Sequence, residues 1–181
     1  MGRYRHGFKS EAERLAVELR AELDLGLYRR LDPLALADRL AVPVWSLDQL
    51  PDVEAAVAVL HGPEAAAFSA MTVFDGTSRV IVHNTAHAPA GQASNLCHEL
   101  AHGALLHPAT SALDAYGCRE WDGAIEQEAT FLAGALLIPS KAIWWAAKQR
   151  MPRHDIAEQY GCSVEMVQMR LNLTGAGKRF R

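Results

Sequence analysis

Two histidines four residues apart, with a glutamate between them, are the residues of this chain whose spacing best suits catalysis. The motif H-E-L-A-H occupies residues 98–102 within an apolar stretch, 94–106, whose leucines recur at helical spacing. Residues four apart share one face of a helix, so His98 and His102 can direct both imidazoles at one cation. Glu99 lies about 100° around the helix from His98 and can reach a water on that cation without binding the metal itself. The pattern is typical of zinc peptidases.

A catalytic zinc usually takes three protein ligands and leaves a fourth position for water. A third histidine six residues after His102 would complete one known pattern, but that position is Pro108. His107 is one residue out of that register, so we expect it to be a surface or packed residue rather than a ligand. The other common solution is a carboxylate on a second helix.

The apolar stretch 123–139 predicts that second helix, and it carries two glutamates near its start. Glu126 and Glu128 lie about 200° apart around a helix, so they cannot both face one ion. We favour Glu126 as the third ligand and keep Glu128 as the alternative. Thr130, four residues after Glu126, could hydrogen-bond a ligand from behind.

The motif followed by E-x-E-A-x-x-x-A-x-x-L-L-x-P resembles the ImmA/IrrE metallopeptidase family, and residues 7–13, 80–84 and 160–167 extend the likeness over most of the chain. The resemblance implies an α+β, zincin-like fold of the gluzincin type. In such a fold a small sheet packs against the active-site helix and the glutamate helix, with additional N- and C-terminal helices.

The same resemblance implies a ligand set and a reaction. It makes His98, His102 and Glu126 the zinc ligands and Glu99 the general base, with Mn²⁺ as the alternative metal. The sequence departs from the family pattern at Thr130, where the family commonly has Asn or Asp.

The function implied is a zinc-dependent endopeptidase that cleaves a helix-turn-helix transcriptional repressor and so derepresses mobile-element or stress-response genes. The alternative is a non-catalytic, zinc-containing module that binds a repressor or DNA. Structural zinc sites are usually closed by four ligands and rich in cysteine. Three ligands without a cysteine favour catalysis.

Composition narrows the protein class. The 181 residues are half apolar and 22% charged, which predicts one globular domain over residues 1–181. A net charge of −3 gives no electrostatic reason to expect direct DNA binding. Apolar runs are too short for a membrane span, and the start lacks the apolar segment of a signal peptide. Three widely spaced cysteines read as reduced thiols, and we expect a cytoplasmic protein.

The N-terminal third predicts two helices. Residues 1–9 are basic and expected to be flexible. Ser10 and Glu13 match a capping box that would start the first helix, and Gly26 would end it. The pair Asp32-Pro33 predicts the start of a second helix, since both residues occupy their preferred positions.

The middle of the chain predicts a small sheet beside the active-site helix. Residues 42–47 predict a short edge strand. Residues 53–60 could form a helix by their alanines or a strand by their valines, and we favour a helix for the first part. Two strands, 68–74 and 79–84, flank an Asp-Gly turn and predict a hairpin. The second strand leads into the active-site helix, so its end could be an open edge that pairs with an extended substrate. The residues concerned are Val82, His83 and Asn84.

The C-terminal segment, 152–181, predicts two short helices joined at Gly161 and followed by a basic tail. That is the outline of a helix-turn-helix. A DNA-reading helix would be basic, whereas this one carries only Arg170, balanced by Glu165. We therefore expect it to pack against the rest of the protein.

Overall fold

The computed structural model describes residues 4–51, 54–62, 67–75, 78–108 and 123–179. It combines helices with a three-stranded sheet, as the α+β prediction required. In chain order the elements are α1 (Phe8–Ala21), α2 (Pro33–Arg39), β1 (Val44–Ser46), α3 (Glu54–Leu60), β2 (Ala70–Asp75), β3 (Ser78–His83), α4 (Pro89–Ala104), α5 (Gly123–Leu137), α6 (Ser140–Lys148), α7 (Arg153–Tyr160) and α8 (Val164–Thr174).

The sheet has the strand order β1-β3-β2. β2 and β3 form the predicted antiparallel pair, with Thr72 opposite Ile81, and β1 runs parallel to β3 with Val44 opposite Ile81. Ile81 is buried and belongs to the main core. Because β3 has a neighbour on both sides, its backbone groups are already paired, and the prediction that its end forms an open substrate edge is wrong. β1 is an edge strand, as predicted, and β2 forms the opposite edge.

The sheet and α5 both pack against α4, and α1 packs against α5. From Phe131 to Ile138 every residue of α5 and its end is buried, so this helix lies at the centre of the core rather than on its surface. Phe8, Ala12 and Ala16 of α1 are fully buried and supply the facing stripe. The charged first half of α5 is the part that reaches the functional site.

The start of α1 differs from the sequence-based prediction. The helix begins at Phe8 after Gly7, whose φ of 82° is left-handed, and Ser10 lies inside the first turn without capping it. Tyr4 stacks on the fully buried Phe8 with ring centroids 5.5 Å apart. Aromatic packing thus links Tyr4 to the core, and residues 1–3 lie outside the described residues; the flexibility of residues 1–9 stays a prediction.

The end of α1 also differs, and Arg20 gives the reason. The helix stops at Ala21, before Gly26. The buried guanidinium of Arg20 donates to the carbonyls of Gly26 at 2.9 Å and of Arg29, and to that of Leu136 at 2.7 Å. The chain after Ala21 thus turns around one buried cation, which needs carbonyl acceptors that a continuing helix would use internally.

The second helix and the C-terminal helices form as predicted. The Asp32 side chain accepts from Leu34 N–H at 2.9 Å and caps α2. Gly161 ends α7 with a φ of 64°, and Ser163 caps α8. Arg170 of α8 is fully buried, so the one basic side chain expected on a recognition helix faces the core instead.

Within the described ranges, no single helix is long and apolar enough to cross a membrane. Only α5 and α6 taken together, with a bend of 57° between them, reach the length and composition for one.

Candidate metal centre

Helix α4 carries the two histidines of the motif H-E-L-A-H on the face that its core contacts leave open. Pro89 occupies the first turn, where its missing N–H costs nothing. Leu96, Cys97, Leu100 and Ala101 are buried, which leaves the histidine face directed away from the core. Cys97 is fully buried in the core and does not join the group of potential ligands found among the described residues, so it packs beside the motif. Burial raises the pKa of its thiol to about 12.

His98, His102 and Glu126 converge on one point. The two Nε2 atoms lie 3.1 Å apart, and Glu126 Oε2 lies 3.1 Å from His98 Nε2. Glu126 Oε1 lies 3.7 Å from His102 Nε2. Three donors bound to one tetrahedral zinc at its usual bond lengths are separated by about 3.3 Å. The observed distances bracket that value, so the three side chains fit one divalent cation.

Glu128 takes a different position, as the helix angle required. One carboxylate oxygen lies 3.5 Å from Arg5 Nε, and the other lies 3.5 Å from His107 Nε2. It does not join the group of potential ligands that Glu126 completes. Of the two glutamates considered, the structure brings Glu126 to the histidines.

Glu99 points from the same helix towards the sheet. It is almost fully buried, and its Oε2 accepts a hydrogen bond of 2.7 Å from Thr72 Oγ1 on β2. A buried carboxylate needs such a partner, and the hydroxyl of Thr72 supplies it. Glu99 also lines the cleft described below, where it can act on a substrate or water.

Thr130 lies behind the first histidine. Its Oγ1 is 3.5 Å from His98 Nδ1, on the side of the ring opposite the Nε2 that faces Glu126. The contact is at the outer limit of a hydrogen bond. The position is the one that the sequence suggested for a residue that orients a ligand.

A cleft of about 640 Å³ opens onto these residues. Ser69 and Ala70 at the start of β2 line one side, and His98, Glu99 and Glu126 line another. β2 is therefore the edge strand that borders the site, in place of β3.

The three residues predicted to form a substrate-binding edge are instead buried or hydrogen-bonded within the protein. Val82 is buried in the middle of the sheet. His83 is buried too, and desolvation lowers the pKa of its imidazole, with Asp48 opposing the shift. The Asn84 side chain donates to the carbonyls of Leu60 and Phe68 at 3.0 and 3.1 Å. These contacts hold the chain between β3 and α4.

Sequence reasoning missed two side chains of the site. Thr72 has no local signal, because a threonine in a strand is ordinary. His107 is packed and does not join the ligand group, as expected, but the sequence did not indicate that its Nδ1 lies 3.0 Å from Nδ1 of His102.

Comparison with known proteins identifies the family to which this site belongs. The model of the Peptidase M78 family, described as the IrrE N-terminal-like domain, matches residues 57–172 and so takes in both helices of the candidate metal centre. No curated protein matches the chain significantly. Among solved structures, a Mycobacterium tuberculosis transcriptional regulator superposes with a TM-score of 0.51 at 20% sequence identity. The similarity covers 93% of this chain and 48% of that protein, so this chain spans about half of its length.

Proposed function

Because this chain belongs to the Peptidase M78 family, a family of peptidases, we propose that it is a zinc-dependent endopeptidase. The observation that carries the proposal is the convergence of His98, His102 and Glu126 within 4.8 Å of one another. Glu99 lies beside them in the same cleft. Two imidazoles and one carboxylate are a ligand set of catalytic zinc sites, whereas structural sites are usually closed by four ligands.

Each side chain has a distinct part in the proposed reaction. His98, His102 and Glu126 would hold the zinc ion, which would supply Lewis-acid chemistry towards the scissile carbonyl and towards water near neutral pH. Glu99 takes the proton of the attacking water and later delivers it to the leaving amine. Thr72 holds one oxygen of Glu99, which fixes the direction of the other.

Substrate binding is proposed at the free edge of β2. An extended peptide can add to an open strand through main-chain hydrogen bonds, and β2 begins at the cleft. The side chains of Ala70 and Thr72 project to the face of the sheet that carries the contact with Glu99. The scissile bond would then lie close to that glutamate.

The proposed substrate is a helix-turn-helix transcriptional repressor. The support is the resemblance of the motifs to the ImmA/IrrE family, and the similar fold of a protein named as a transcriptional regulator agrees with a regulatory setting. The competing idea, a module that binds DNA through its C-terminal helices, is disfavoured by the burial of Arg170.

The test is to incubate the purified, zinc-loaded protein with a helix-turn-helix repressor encoded beside its gene and to look for cleavage products by mass spectrometry. We expect a discrete cut that is lost with chelator and restored with Zn²⁺ or Mn²⁺. Glu99→Gln keeps the shape of the side chain but cannot accept the proton, so it should bind zinc normally and lose at least about 100-fold in rate. Full cleavage by Glu99→Gln would remove that residue from the mechanism. Failure of the wild type to bind one zinc per chain would overturn the metallopeptidase proposal.

A further inference from the structure

His107 lies directly behind the second histidine of the proposed zinc site. The two Nδ1 atoms are 3.0 Å apart, and the rings meet edge to face with centroids separated by 5.0 Å. The side chain of His107 is only 8% exposed. An imidazole so buried, with a ring nitrogen at hydrogen-bond distance from another ring nitrogen, is held in one orientation by its surroundings.

The end of α4 is built to place His107 there. The helix closes with Leu106 in the left-handed region at a φ of 54°, and His107 N–H returns to the carbonyl of His102 at 3.0 Å. Such a closure usually has glycine at the left-handed position. The Leu106 side chain is 84% exposed, so burial does not offset the strain. The strained turn carries His107 back against the ring of the ligand.

The hydrogen bond between the two rings fixes which nitrogen carries each proton. His102 directs Nε2 towards His98 and Glu126, and a nitrogen that binds a metal must have a free lone pair. The proton of neutral His102 therefore resides on Nδ1, which donates to His107 Nδ1. The proton of neutral His107 then resides on Nε2.

The far side of His107 agrees with that assignment. Its Nε2 is buried and has no hydrogen-bond acceptor among the described residues, and the nearest carboxylate oxygen, Glu128 Oε2, lies 3.5 Å away. That distance is long for a hydrogen bond. A carboxylate at this distance still favours an N–H over a lone pair on the side that faces it. Glu128, weighed from sequence as an alternative ligand, thus lies behind the site with His107 between it and His102.

We propose that His107 is a positioning residue for metal binding, whose Nδ1 accepts the Nδ1 proton of His102 and so holds the Nε2 lone pair of His102 towards His98 and Glu126. The proposal rests on the zinc site of the proposed function. Removing a partner of this kind from a metal-bound histidine typically weakens metal affinity by about 10- to 100-fold. His107 would act through His102, without touching the substrate.

The test compares the zinc affinity of three full-length variants with that of the wild type, measured by competition with a chelator of known affinity. His107→Leu removes the acceptor and should raise the zinc Kd by about 10- to 100-fold. His107→Asn places an amide oxygen near the position of Nδ1 and should recover most of that loss. His154→Leu is the control, because His154 is exposed and contacts only its neighbour Asp155 among the described residues.

A second measurement reads the tautomer directly. In the zinc-loaded, ¹⁵N-labelled wild type we expect a slowly exchanging proton on Nδ1 of His102, and its loss in His107→Leu. If His107→Leu does not fold, the wild-type spectrum together with His107→Asn decides the question. A Nε2 proton on His102 would overturn the proposal.

The zinc affinities distinguish a failure of the His107 proposal from a failure of the peptidase proposal. Equal weakening by His107→Leu and His107→Asn would show that shape rather than an acceptor is needed, and it would overturn the proposal. A folded His107→Leu that binds zinc as tightly as the wild type would do the same while leaving the peptidase proposal intact. A wild type that binds no zinc would remove both.

Discussion

Arg170 joins the last long helix to the first one, and its replacement should cost a large part of the protein's stability. The side chain is fully buried, and its guanidinium pairs with the Glu13 carboxylate. Nε donates to the Ile138 carbonyl at 2.9 Å, and the cation lies 5.4 Å from the centre of the Phe131 ring. Arg170→Met keeps the apolar stem and removes the charge, which leaves the carboxylate and the carbonyl without their donor.

The expected magnitude follows from these contacts. Breaking a buried ion pair by removing one partner costs about 3–5 kcal/mol, and an unsatisfied buried carbonyl costs about 1–3 kcal/mol. Glu13 is 20% exposed and also accepts from Ser140 N–H at 3.0 Å, so it keeps some solvation. The buried Nη1 of Arg170 has no hydrogen-bond partner among the described residues, and methionine avoids the free-energy cost of that unsatisfied donor. We therefore expect Arg170→Met to lower the free energy of unfolding by about 3 kcal/mol.

The assay is urea unfolding of the metal-free protein followed by far-ultraviolet circular dichroism, arranged as a double-mutant cycle. Glu13→Gln alone leaves the arginine unpaired and should cost a similar amount. The double variant should cost much less than the sum, with a coupling of about 2 kcal/mol. Arg14→Met is the matched control, because its ion pair with Glu18 is exposed and should contribute no more than about 0.5 kcal/mol.

A loss below about 1 kcal/mol for Arg170→Met would refute the reasoning, since it would place this cation in the class of weak surface pairs. It would also reopen the possibility that the helix serves a partner. A helix that reads DNA would show a small stability change together with a loss of DNA binding in a gel shift at physiological salt.

Two further predictions concern the base and the thiols. Thr72→Val removes the hydrogen bond to the Glu99 carboxylate, which is worth about 1.5–3 kcal/mol. Repressor cleavage should therefore slow by about 10- to 100-fold at unchanged zinc affinity. Thr72→Ser keeps the hydroxyl and should keep most of the rate. Slower cleavage caused only by weaker zinc binding would contradict this role of Thr72 towards Glu99. Burial raises the pKa of the Cys97 and Cys162 thiols to about 12, so about one thiol in ten thousand is ionised at pH 8. In a Cys118→Ser variant these two are the remaining cysteines. The folded variant should therefore resist alkylation at pH 8 and should react fully in denaturant. Rapid labelling of the folded variant, detected by mass spectrometry, would show that one of the two sites opens.

The parts of the site that sequence could predict are those set within one helix. Pro89 and Pro139 delimit helical stretches by local chemistry, and the angle between residues two apart was enough to separate Glu126 from its neighbour. Thr72 and His107 could not be found this way. The first acts across a strand–helix contact, and the second through a turn whose left-handed leucine has no sequence signature.

The mistaken substrate edge has the same origin. A hairpin signal gives the pairing of two strands but says nothing about a third strand that arrives from elsewhere in the chain. Three residues of β1 pair with β3 in parallel and turn an expected edge into the centre of the sheet. The capping box predicted for Ser10 and Glu13 does not form, because the Glu13 carboxylate pairs with the distant Arg170 instead of returning to the backbone at Ser10.

The proposed zinc ligands come from two helices that meet only when the core has formed. His98 and His102 lie on α4, whereas Glu126 reaches them only once α5 packs against that helix. While the chain is still leaving the ribosome, α4 can offer a metal two imidazoles but no carboxylate. We expect the nascent polypeptide to bind zinc weakly and to have no peptidase activity. Other proteins would then be cleaved only after this chain has folded.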